Sequence, residues 1–179
     1  MIRRELYSAL CGCLSRIYVS PEGFYDVIVS GRPVPVGFER AIKHIDLWNH
    51  NVDFIEQEEN WERPAVFVEF GSIVWQQMDK PLSSRRYRCR GSIVSLHVVT
   101  DWQGSSASDS EFREDSLKVF DLLHAVRMSV NGLRGVHFCR VEMLSSSTNH
   151  NHEDLLENIE SFRYDGHIDF DEINKAYKP

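Results

Sequence analysis

From Arg86 to Thr100 the chain reads RYRCRGSIVSLHVVT, a long run rich in β-branched and apolar residues and free of proline. That composition predicts one long strand, and Gly91 is the place for a bulge or bend within it. The polar stretch Gln103 to Ser110 (QGSSASDS) follows as a loop. Beyond it Val119, Phe120, Leu123, Val126 and Val130 recur at helical spacing, which predicts an amphipathic helix with those residues buried. Asp109 or Ser110 is placed to cap it, Glu111, Glu114 and Asp115 suit its dipole, and Asn131-Gly132 is a stop signal. Two strand-like runs come next, Val136 to Leu144 and Leu155 to Ile168, joined by the polar connection Ser145 to Glu153. Phe162, Tyr164 and Ile168 share one face of the last strand. No catalytic signature accompanies this half of the chain. The combination points to a small α+β module that works by assembling with copies of itself or with other proteins.

The N-terminal half supplies the remaining layers. Ile2, Leu6, Ala9, Leu10, Cys13, Leu14 and Ile17 form an apolar stripe at spacings of three and four, predicting a helix over 2–17. Pro21, Gly23, Gly31, Pro33, Pro35 and Gly37 mark a loop with a short hairpin or helical turn, a Pro/Gly-rich segment inserted over 18–40. Ala41 to Trp48 is a strand candidate with Ile45 and Leu47 on one face. Pro64-Ala-Val-Phe-Val-Glu-Phe70 reads as a central strand covered on both faces, because its apolar run is nearly continuous. Gln76 to Arg85 reads as a hairpin loop, and residues 169–179 as a polar C-terminal tail. The expected fold is α+β: one mostly antiparallel sheet with two helices on one face, in the order α-β-β-β-α-β-β. Residues 1–179 are expected to form a single domain.

Composition narrows the function. A chain of 179 residues can bury a sufficient core without metal or disulfide staples. The formal net charge of −7 argues against general nucleic-acid binding, which needs a basic face. No run of about 18 apolar residues exists, and no signal-peptide pattern follows Met1, so a cytoplasmic setting without membrane contact is expected. The four cysteines, Cys11, Cys13, Cys89 and Cys139, are expected to be buried reduced thiols.

The order of elements resembles that of the tail terminator (tail completion) proteins of long-tailed bacteriophages and prophages. The residues that carry the resemblance are the first helix around Glu5-Leu6-Tyr7, the strand Pro64 to Phe70, and the strand ending Leu96-His-Val-Val-Thr100. The helix Ser116 to Val130 and the closing strand with Phe162-Arg-Tyr164 complete it. The resemblance implies a curved sheet with helices on one side that forms a homo-oligomeric ring, often a hexamer. The ring caps the tail tube and presents a surface to the head–tail connector protein, with DNA passing through it. The setting it implies is the virion tail, assembled in the bacterial host cytoplasm. It implies no catalytic residue, cofactor or metal. The insertion at Tyr18 to Gly37 departs from the family layout and would reshape or block one rim of such a ring.

Several constellations bear on binding. Arg86, Arg88 and Arg90 project from one face of a strand. They form either a solvated face or a positive stripe that meets an acidic neighbour, such as the segment Glu56 to Glu62, or the phosphates of passing DNA. Trp48, Trp61, Trp75 and Trp102 fall at or just beyond strand ends. They suit sheet corners, and Trp75 and Trp102 also suit anchors in a subunit interface. Arg86, Arg88, Arg90, Trp75 and Trp102 are therefore the candidate interface residues. His150 and His152, with Glu153, His137 or His167 as a third group, have weak metal-site spacing in a Ser-rich loop. Cys139 and His137 lie two apart on a predicted strand and form no oriented dyad, and no Gly-x-Ser-x-Gly or phosphate-binding glycine loop is present. The rivals to the ring are a head-completion or neck protein, a small metal- or ligand-binding enzyme, and a monomeric adaptor.

Overall fold

The computed structural model describes residues 2–49, 61–78, 86–149 and 155–170. Helix α1 spans Ile2–Leu14 and buries Ile2, Leu6, Leu10, Cys13 and Leu14. It ends sooner than its apolar stripe, because Ile17 is buried from a strand instead. That strand, β1 (Ile17–Val19), pairs with β2 (Tyr25–Val27) and β3 (Glu39–Arg40) in a small antiparallel sheet. The inserted segment thus contains a hairpin and a third short strand.

Among the described residues the main sheet has six strands. They are β4 (His44–Leu47), β5 (Ala65–Phe70), β6 (Trp75–Gln77), β7 (Arg86–Asp101), β8 (Glu142–Asn149) and β9 (Leu155–Asp169). Their order is β4-β5-β7-β9-β8, with β6 beside β7. Among the described pairings only β4 with β5 is parallel. Helix α2 spans Arg113–Val130. The protein is therefore α+β, with a mostly antiparallel main sheet.

Alternation along the strands builds two apolar layers. Val66 and Val68 of β5, Val94, Leu96 and Val98 of β7, and Phe162 and Tyr164 of β9 form one cluster with both helices. Each such side chain contributes about 1.5–3 kcal/mol on full burial. On the opposite face Ala65, Phe67, Val99 and Leu155 form a second, smaller cluster, closed by Trp48 and Trp61. Strand β5 is covered on both faces, as its continuous apolar run predicts.

Gly91 provides the expected irregularity in β7. Cys89 faces Gly166 and Ser92 faces Tyr164, so Arg90 and Gly91 together oppose Asp165. Gly91 adopts φ +61°, and its N–H donates to Asp165 Oδ1 at 2.8 Å. The extra residue changes the parity of the strand. Cys89 before it and Val94 after it consequently both face the helices.

Four expectations need correction. The strand predicted over Val136 to Leu144 lies instead at Glu142–Asn149, so Ser145 to Asn149 are strand rather than connection. β8 is an edge strand exposed along most of its length, so no apolar alternation announces it. Residues 137–139 only run alongside β9: His167 N–H donates to His137 O and Cys139 N–H to Asp165 O. Helix α2 begins at Arg113, after a turn in which Ser110 Oγ accepts the Phe112 N–H at 3.2 Å. Phe120 is 58% exposed, and Leu122 and Ala125 take the buried positions beside Leu123, Val126 and Val130. Gln76 and Gln77 lie in β6, which pairs with the start of β7. The rest of the predicted loop at 79–85, the connection at 150–154 and the tail at 171–179 lie outside the described residues.

Candidate interface

The arginine run opens β7, at the end of the sheet where β6 and the last residues of β9 flank it. Arg86 Nε donates to Asp169 Oδ2 at 2.8 Å. Arg88 sits opposite His167 on one side and Gln76 on the other, and its buried Nε finds no hydrogen-bond partner among the described residues. Arg90 is exposed within the bulge. Acidic groups of β9, Asp169 and Asp165, thus lie beside the basic run within one subunit. Of the acidic segment Glu56 to Glu62, residues 56–60 lie outside the described residues, and Glu62 is exposed.

Trp75 and Trp102 belong to different places. Trp75 faces Cys89 across the β6–β7 pairing and packs against the main core. Trp102 follows the far end of β7 and is 55% exposed. At about 3.3 Å per residue, the length of β7 puts these ends tens of ångströms apart. Trp75 therefore accompanies the arginines, whereas Trp102 does not. Trp102 instead borders a cleft of about 260 Å³ beside the first turn of α2, with Tyr25, Thr100, Lys118 and Leu122.

The histidine candidates separate as well. His137 Nδ1 lies 2.6 Å from Glu5 Oε2, and the His137 and His167 rings are 6.2 Å apart. His150, His152 and Glu153 lie outside the described residues. Among the described residues no three metal-ligating side chains converge. Cys13 and Cys89 are buried, Cys11 is half-buried, and Cys139 is exposed, contrary to expectation. Burial pushes the Cys13 thiol up to about 11, which keeps it protonated and unreactive.

Three features escape a sequence reading. The first is a row across the outer face of the sheet. Glu69 Oε2 lies 3.1 Å from His97 Nε2, His97 Nδ1 lies 2.6 Å from Glu157 Oε1, and Asn149 Nδ2 donates to Glu157 Oε2 at 2.6 Å. Trp48 stacks on His97 at 3.9 Å. His97 and Glu157 are buried, so the row ties β5, β7, β9 and β8 together and offers little access to a substrate. The only outward hint is a histidine inside the apolar run Leu96-His-Val-Val99.

The second feature pins α2. Glu160 is fully buried and takes Arg127 Nε at 2.8 Å, Arg127 Nη2 at 2.7 Å and Ser146 Oγ at 2.6 Å. The hydrogen-bonded Glu160 carboxylate raises the Arg127 pKa, with burial opposing it. The third is an open surface. β8 pairs on one side only among the described residues, with Met143 and Leu144 exposed. Phe120, His124 and Met128 form an exposed stripe along α2, and Asn131 Oδ1 at its end accepts the Met143 N–H at 3.2 Å. A single sequence cannot tell a second apolar stripe on a helix from the first.

No family model matches the chain, and no curated protein matches it significantly.

Proposed function

We propose that the protein is a structural component of a phage or prophage tail, a terminator that assembles into a ring of about six copies. The ring docks on the tail tube, ends its growth, and offers its other face to the head–tail connector, with DNA passing through the centre. Virion tail proteins of this kind assemble in the host cytoplasm. The observation that carries the reading is the pairing of one mostly antiparallel sheet, both helices on one face, with a long sheet edge that is open among the described residues. An open edge with an apolar flank suits assembly, because its unpaired backbone groups and exposed side chains are satisfied by another chain.

A tube-growth assay tests it. Tail-tube subunits polymerise alone and with the purified protein, and electron microscopy reports tube length and end structure. The expected result is shorter tubes carrying a ring at one end. Tubes of equal length with bare ends would overturn the reading.

A further inference from the structure

Two parts of the molecule carry unmet surface, and they complement each other. The first is the β8 edge beyond Met143, whose own N–H is already taken by Asn131 Oδ1. From Met143 to Asn149 it carries neither charge nor proline, two of the devices that guard sheet edges. The opposite edge strand, β4, has only four residues, and the Asp46 carboxylate accepts its Leu47 N–H at 2.7 Å. Met143 and Leu144 are exposed apolar side chains on β8, and Met128 is exposed on α2 next to Arg127, which reaches Ser146 of β8.

The second part is the inserted segment between Gly31 and Gly37, both at positive φ. Val34 and Val36 are exposed there, Val36 at 100%. Their N–H groups have no partner among the described residues. Pro33 and Pro35 lack an N–H, and in an extended chain alternate residues point their backbone groups to opposite sides. Such a segment can pair through Val34 and Val36 but not through its other side. It can therefore end a sheet and cannot extend one. Its one charge is Arg32, and the one charge of β8 is Glu142, which Arg163 also holds at 2.7 Å, so no two acidic groups meet in a chain of net −7.

We infer that residues 32–36 of one copy add as a strand to the β8 edge of a second copy, placing Val34 and Val36 against Met143, Leu144 and Met128. The contact is heterologous, so each subunit gives a segment and receives one, and repetition closes a ring when the rotation allows. The inference rests on the ring reading and gives the insertion its role as the donor.

The test uses two variants whose altered side chains are exposed, with circular dichroism to establish that each folds. Val34→Glu/Val36→Glu disables the donor, and Ser145→Lys/Ser147→Lys disables the acceptor. Light scattering on the wild type is expected to give about six times the 20.8 kDa chain mass. Each variant alone is expected to run as a monomer. An equal mixture is expected to run at twice the chain mass, because one good donor then meets one good acceptor. Variants that keep the wild-type mass, or a mixture that stays monomeric, would overturn this contact and leave the ring reading standing. A wild type that is monomeric at every concentration would overturn the contact, and the tube-growth assay would then decide the ring reading separately.

Discussion

The carboxylate of Glu5 holds the loop that follows α2 against α1. It accepts the His137 N–H at 3.2 Å and the Val136 N–H, and faces the His137 ring at 2.6 Å. Partial burial alone would raise its pKa. The His137 ring, the two backbone donors and the His137 charge outweigh that and leave it lowered. A carboxylate whose pKa is lowered in the folded state stabilises above its unfolded pKa of about 4.3, and that contribution disappears as pH falls through the folded value. Hydrogen bonds to a charged group are worth about 1.5–3 kcal/mol, and partial exposure places Glu5 near the lower end. Glu5→Gln is therefore expected to lower stability by about 1.5 kcal/mol at pH 7. Urea midpoints of wild type and variant should converge between pH 5 and pH 3. A gap that stays constant over that range would show that the ionised form is not what stabilises the loop.

At the level of elements, α2 is held by packing and by one ionic contact of high consequence. Arg127 reaches the fully buried Glu160 from the helix and hydrogen-bonds Ser146 of β8 at 2.9 Å. Removing one partner of a buried pair strands the other charge and costs about 3–5 kcal/mol, whereas replacing both with apolar groups is often close to neutral. Arg127→Met should accordingly destabilise strongly, and Arg127→Met/Glu160→Met should recover most of the loss. Thermal denaturation of the two variants is the check, and a double variant no better than the single one would refute the account. Sequence legibility follows the same division. β5, β7, β9 and the two helices were readable because burial imposes apolar spacing on them. β8 was not, because an exposed edge imposes none. Phe120 is exposed despite its helical spacing, because that spacing marks an apolar stripe without saying which stripe faces the sheet. The partners of His97 and Arg127 were invisible because they come from distant strands, fixed only when β7 and β9 find their register. The candidate interface was readable only at the arginines, since the open edge depends on the order of strands in the sheet.

Across the whole molecule, the two apolar layers share their backbone. Phe67 faces His97 on the outer side of the sheet, and the adjacent pair Val68 and Leu96 faces the helices. Strand β7 pairs with β5 and β6 on one side and with β9 on the other, so separating it exposes both layers together. The small cluster around Phe67 is too limited to persist alone, since three of its buried members belong to β5 and β7 and the fourth to β9. A single cooperative transition is therefore expected. Tryptophan fluorescence reports the outer cluster through Trp48 and Trp61, alongside Trp75 on the main core and the exposed Trp102, while far-ultraviolet circular dichroism weights the helices and strands throughout. Measured on the donor-disabled variant, so that assembly does not shift the midpoint with concentration, the two urea curves should superimpose. A fluorescence transition at lower urea would mean that the outer layer opens by itself, and that Trp48 and Trp61 are a cover over the sheet rather than part of its core.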